Sequence, residues 1–171
     1  NPFQDNGIKV FLPDGRKLDN ETERAIEADI AAGIGATTIA DASAESSEHL
    51  SEYQAEYLDH LRAGVPELSL LGKKIVIDCA NGAASHLAPK LFESLGANVV
   101  AIHNEPNGVN INEDCGSTHI DDLREAVVVH RADLGIAFDG DADRSLFVDE
   151  NGELVDGDAT LWIIASKLHE S

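Results

Sequence analysis

Three aspartates at alternate positions, Asp139, Asp141 and Asp143, followed at once by Arg144, form the sharpest local chemical signal in the sequence. Carboxylates crowded this closely repel one another, and a hard cation such as Mg²⁺ relieves that repulsion through oxygen coordination. Gly140 and Ala142 keep the intervening backbone slim, so the loop can fold around an ion. The run directly follows Leu134-Gly135-Ile136-Ala137-Phe138, which reads as a buried strand. Ligands of open α/β sheets gather at the carboxyl ends of strands, so the loop stands where a site is expected. Two other readings compete. An Asp-rich loop can be a solvated turn. In an EF-hand, Asp139, Asp141, Asp143 and Glu150 would fill the first, third, fifth and twelfth positions. Its sixth position calls for glycine, however, and here carries Arg144. The flanking segments also read as strands, so the EF-hand fails on context.

Other reactive residue types give less. Cys79 and Cys115 lie far apart and form no CxxC, implying neither a disulfide framework nor a zinc site. Cys79 ends an apolar strand and reads as a small buried hydrophobe. His86, His103 and His130 show no ligand spacing and read as surface or packing residues. Ser117 and His119 lack the G-x-S-x-G elbow of a hydrolase nucleophile.

The elements that position the aspartates read as an alternation of strands and helices. Strands are expected at Lys74–Asp78, Asn98–Ile102, Leu134–Phe138 and Ser145–Asp149, with a hairpin turn at Asn151-Gly152 leading to Leu154-Val155. Helices are expected from Asn81-Gly82 to Leu95, over Asp121–His130 and over Gly157–His169. Such alternation predicts an α/β fold, a mainly parallel mixed sheet covered by helices. Upstream, Ile8–Leu12 reads as a strand, Asp14-Gly15 as a turn, and Asn20–Ile34 as a helix capped by Asn20. Residues 35–46 are small and polar and read as a linker, after which 47–61 has helical spacing. The expected organisation is therefore a strand–helix remnant at 1–34, the linker, and a second domain at 47–171 that is incomplete at its C-terminus.

The net charge of -20 excludes a nucleic-acid or anionic-membrane surface, both of which need clustered Lys and Arg. No apolar stretch approaches the length of a membrane span, and the turn-rich first residues do not read as a signal peptide. With no disulfide framework, a cytoplasmic location is expected. The sequence contains no methionine, so Asn1 is expected to be a cut or a processing site.

The run Asp139 to Arg144 resembles the DGDxDR loop of the alpha-D-phosphohexomutases. The opening Asn1-Pro2-Phe3-Gln4-Asp5-Asn6-Gly7-Ile8-Lys9 looks like the continuation of that family's catalytic loop, Ser-His-Asn-Pro followed by Asn-Gly-x-Lys. The resemblance implies that Asp139, Asp141 and Asp143 bind Mg²⁺ together with a phosphoserine oxygen, that Arg144 lies on the phosphate side, and that Lys9 is an acid or base near a sugar hydroxyl. The serine would stand just before Asn1, so this chain alone is expected to be inactive. Pro106-Asn107-Gly108-Val109-Asn110-Ile111-Asn112 and Cys115-Gly116-Ser117-Thr118-His119 are similar to the phosphoglucosamine mutase branch. That branch interconverts glucosamine 6-phosphate and glucosamine 1-phosphate through a bisphosphate intermediate. A hexosamine phosphate substrate and a homodimer of the intact protein are implied. Phosphomannomutase or phosphoglucomutase activity, and a noncatalytic Asp-rich cation-binding domain, remain as alternatives.

Overall fold

The computed structural model describes residues 2–5, 7, 9–34 and 50–170, and the chain divides into two compact units, residues 6–52 and residues 1–5 with 53–171. The expected linker 35–46, Ile8 and the start of the 47–61 helix lie outside the described residues.

In the smaller unit the helix α1 spans Asn20–Ala31. Its cap is Asp19, not Asn20: Asp19 is extended, and its side chain accepts from the backbone N–H groups of Glu21 and Thr22. An aspartate one residue earlier satisfies the orphan donors of the first turn, which leaves Asn20 free to be helical. The helix stops three residues short of Ile34. Over residues 9–12 the expected strand is absent, and a single antiparallel bridge joins Phe11 to Lys17 across the Asp14-Gly15 turn. A two-stranded pairing this short gains too little from burial to extend.

The larger unit is an α/β sandwich. Helix α2 spans Leu50–Ala63, strand β1 Lys74–Asp78, helix α3 Ala88–Ser94, strand β2 Asn98–Ile102 and helix α4 Asp121–His130. Strands β3 at Leu134–Phe138, β4 at Ser145–Asp149 and β5 at Leu154–Val155 precede the final helix α5 at Gly157–Glu170. The expected helix from Asn81-Gly82 is broken into a 3-10 turn, Ala83–Ser85, and α3. Pro89 explains the break, because a residue without an N–H is accommodated in a helix's first turn and not in its interior.

The five strands lie in the order β2-β1-β3-β4-β5. β1 pairs parallel with β2 and β3, β4 runs antiparallel to β3, and β5 antiparallel to β4, so four strands point one way. Both faces of the sheet are covered. On one face Ile75, Ile77 and Ile136 pack with Ala84 and Ala88; on the other Val76, Ala137 and Val148 pack with Leu123 and Val127 of α4. Burial on both sides is why β1 is a continuous β-branched run. The parallel register sets Asp78 beside Ile102 and beside Ala137, so the loops after β1, β2 and β3 leave from one edge.

Leu123 is fully buried against the sheet. Leu123→Ala is expected to lower stability by about 2–5 kcal/mol through lost burial and an unfilled cavity, as measured by urea denaturation.

Candidate metal centre

Asp139 begins where β3 ends, and the sequence then turns sharply into β4. Ala142 takes a left-handed backbone at φ 58, its N–H donates to the Asp139 carbonyl at 3.0 Å, and the Asp139 N–H donates to the Arg144 carbonyl at 3.2 Å. This turn brings Asp139, Asp141 and Asp143 together, each offering a carboxylate oxygen, with the three oxygens within 4.8 Å of one another. Asp139 is buried at the base while Asp141 and Asp143 are exposed at the rim. A cluster of oxygen donors fits a hard divalent cation such as Mg²⁺.

Arg144 does not stand apart from these acids. Its backbone N–H donates to Asp139 Oδ1 at 3.1 Å, and its guanidinium donates to Asp139 Oδ2 at 2.9–3.0 Å and to Asp143 Oδ1 at 3.3 Å. Burial pushes the Asp139 carboxyl upward, but these hydrogen bonds and the guanidinium charge outweigh it and hold the group below its ordinary value of 3.8. The same contacts raise Arg144. The guanidinium is still 79% exposed, so it keeps donors for an incoming anion.

The loop is braced from two sides. The Ala83 N–H donates to the Gly140 carbonyl at 2.9 Å, and a methyl group on Gly82 would collide with that same carbonyl. A Cβ on Gly140 would meet Asn112 and Ile111, whose segment is tied back by the Asn112 N–H donating to the Ala80 carbonyl at 2.9 Å. Beside the aspartates lies a cleft of about 670 Å³ whose lining includes Pro2, Phe3, Ser117, Thr118, Asp139 and Arg144. The opening Asn-Pro segment and the aspartate loop, read from the sequence as parts of one site, thus meet at one cleft through Pro2 and Phe3. Lys9 belongs to the other unit and is exposed.

Three residues on this edge escaped the sequence reading. Asp78 is fully buried and accepts from the N–H groups of Ala80 and Gly116, both at 2.9 Å. The His103 ring stands between Asp78 and Asp122, at 3.1 and 3.2 Å, and Cys115 offers its sulfur nearby. His103 is therefore neither a surface residue nor plain packing, whereas His86 and His130 are exposed. The available signal was Asp78 itself, a carboxylate closing an otherwise apolar strand.

A family model described as phosphoglucomutase/phosphomannomutase, alpha/beta/alpha domain II, matches residues 55–152, and its domain I counterpart matches residues 1–35. The chain is 47% identical to phosphoglucosamine mutase of Rhodococcus jostii over 171 residues, covering 100% of this chain and 38% of that protein. It is 51% identical to phosphoglucosamine mutase of Corynebacterium aurimucosum over 170 residues, with 99% and 38% covered. Among solved structures, a phosphoglucomutase/phosphomannomutase family protein of Burkholderia thailandensis superposes with a TM-score of 0.57 at 27% identity, covering 67% of this chain and 25% of that one. The chain thus spans about two fifths of the length of these curated relatives.

Two outcomes test the geometry. Arg144→Gln leaves the burial and the backbone N–H bond but removes the guanidinium, so the Asp139 carboxyl should titrate higher than in the parent, read by carboxyl carbon NMR shifts. Because the folded value is depressed in the parent, the stability Asp139 contributes is fully present above pH 3.8 and is lost as pH falls through the depressed value. The two proteins should therefore converge in stability in strong acid. Gly82→Ala should displace the Gly140 carbonyl, costing about 1–3 kcal/mol and weakening Mg²⁺ binding measured by calorimetry.

Proposed function

The chain belongs to the phosphoglucomutase/phosphomannomutase family, and on that premise we propose that it forms the metal-binding part of a phosphoglucosamine mutase. The whole protein would interconvert glucosamine 6-phosphate and glucosamine 1-phosphate by way of a phosphoserine and a bisphosphate intermediate. Residues 1–34 are assigned to the family's first domain and 47–171 to its second, with 35–46 between them. The observation that carries the reading is the convergence of Asp139, Asp141 and Asp143 at the tip of β3. It is supported by the identity to proteins named phosphoglucosamine mutase.

In this reading Asp139, Asp141 and Asp143 hold Mg²⁺, which supplies electrostatic stabilisation of charge on the transferred phosphoryl oxygens. Arg144 uses its exposed guanidinium to hold the phosphoryl anion while fixing Asp139 through its remaining donors. The Ser117 and Thr118 segment lines the same cleft as Pro2 and Phe3 and would limit where a sugar phosphate can lie. Lys9 is assigned proton transfer at the sugar hydroxyl, since a positioned lysine can give a proton or, once deprotonated, accept one. Local cations, not the overall charge of -20, decide whether an anionic substrate is accepted.

In the whole protein Asp141→Asn should lower turnover about a hundredfold or more while leaving the far-ultraviolet circular dichroism unchanged. Near-normal turnover would sink the reading. Assays with the 1-phosphates of glucosamine, mannose and glucose should give the highest kcat/KM for glucosamine. Preference for either other sugar would move the protein to a sister activity, and metal binding with no mutase activity at all would leave a noncatalytic cation-binding domain.

A further inference from the structure

On the same edge of the sheet, a second group of ligand-bearing side chains is built from different chemistry. Asp78 comes from the end of β1, His103 from the residue after β2, and Cys115 from the loop before the Gly116–Thr118 turn. Each offers one ligand atom, and these atoms lie within 4.8 Å of one another. Asp78 and Cys115 are fully buried, and His103 is half-buried.

A carboxylate buried to this degree needs compensation for its charge. Two backbone N–H groups satisfy hydrogen-bonding capacity at Asp78 but carry no net charge. His103 Nδ1 stands 3.1 Å from Asp78 Oδ2, yet this buried nitrogen makes no hydrogen bond of acceptable geometry. With the ring protonated this contact is an ion pair; with Nδ1 unprotonated the same separation suits two neighbouring ligands of one ion. On a tetrahedral centre with bonds of about 2.0–2.1 Å, adjacent N and O ligands stand about 3.3 Å apart. The other ring nitrogen, Nε2, lies 3.2 Å from Asp122 Oδ2. A carboxylate in that position is the kind of partner that stands behind metal-bound histidines and orients the ring.

Cys115 completes the set. Burial first, and then the charges of Asp78, Asp114, Glu113 and Asp122, push its thiol up to about 11. The neighbouring charges that raise it are carboxylates, which disfavour a free thiolate and favour a cation beside it.

We propose that Asp78, His103 and Cys115 form a second metal site, separate from the aspartate loop and selective for a borderline-soft divalent ion such as Zn²⁺. Mixed oxygen, nitrogen and sulfur donors favour Zn²⁺, whereas the oxygen-only loop favours Mg²⁺. On binding, Cys115 loses its proton and the sulfur–metal bond forms, so one proton is released per ion. The ion ties together the loops after β1 and β2 and the segment leading to Ser117 and Thr118, which line the cleft. This role reverses the sequence reading, in which Cys115 implied no zinc site and His103 no ligand.

The test is a Co²⁺ titration of the full chain in excess Mg²⁺, which keeps the aspartate loop filled with a hard ion. The expected result is a near-ultraviolet thiolate-to-Co²⁺ band saturating at one equivalent, with one proton released per ion and displacement by Zn²⁺. Cys115→Ser should abolish the band and weaken Zn²⁺ at least tenfold, and Asp122→Asn should weaken it about 10–100-fold. Cys79→Ser should change neither, because Cys79 packs in the core with Ile75 and Ile77 on the opposite face of β1. Absence of the band in the unsubstituted chain overturns the site and leaves Asp78–His103–Asp122 as a polar strut. Persistence of the band in Cys115→Ser overturns it equally. The unsubstituted titration needs no variant to fold, and none of these readouts depends on mutase activity.

Discussion

Three carboxylates within 4.8 Å of one another repel, and everything at this edge of the sheet serves to hold them there. At that spacing the repulsion between a pair is on the order of 1 kcal/mol in water and several times larger where the dielectric is low. The turn itself cannot sustain the arrangement, being short and rich in small residues. The restraint comes from outside it: Ala83 grips the Gly140 carbonyl, Asn112 and Ile111 crowd Gly140, and Arg144 neutralises the innermost acid. These restraints in turn require the parallel register of β2, β1 and β3, which delivers three loops to one edge. Leu123 and Val127, on the far side of β1 and β3 from α3, hold that register by burial and so act on the site without touching it.

Backbone strain maps onto the same edge. Among the described residues other than glycine, seven have positive φ, and six of them (Ala80, Asn81, His103, Asn112, Asp114 and Ala142) lie in the loops at this end. The seventh, Arg131, closes helix α4. Each left-handed residue with a β-carbon is unfavourable on its own and persists only where its surroundings fix it. The fixing contacts are visible: Asn81 donates its N–H to the His103 carbonyl at 2.6 Å, and its side chain accepts from the Glu105 N–H at 3.2 Å. Strain gathered where carboxylates converge, and not at the opposite end of the sheet, marks the edge as built for a ligand.

Much of this was legible in the sequence. Strands β1 and β3 could be read to the residue because parallel strands buried on both faces are continuous apolar runs, β2 and β4 because each is a short β-branched or apolar run bounded by turn residues, and the Asn151-Gly152 hairpin because its turn residues are diagnostic. The aspartate loop was legible because its ligands are neighbours in the chain. What failed did so for local reasons: Asp19 outcompeted Asn20 as a cap, Pro89 split a helix, and the strand expected at Ile8–Leu12 shows, over its described residues, a single bridge from Phe11 to Lys17. The Asp78, His103 and Cys115 group was illegible for a different reason. Its members become neighbours only when β1 pairs with β2, which sets Asp78 against Ile102 and brings in the next residue, His103. No spacing rule along one chain carries that information.

The two clusters solve the problem of concentrated negative charge in opposite ways. At the aspartate loop, three carboxylates and one guanidinium leave two negative charges, the amount that one divalent cation carries. A hard ion there would neutralise the group with Arg144 still bonded to Asp139. At Asp78 no arginine or lysine approaches among the described contacts, and the compensating group is an imidazole held between two acids. An imidazole can supply its charge as a proton or direct a lone pair toward a metal, and a buried thiol stands beside this one. Of the 32 acids behind the net charge of -20, these few stand in clusters whose donor sets differ, oxygen alone in one and oxygen, nitrogen and sulfur in the other.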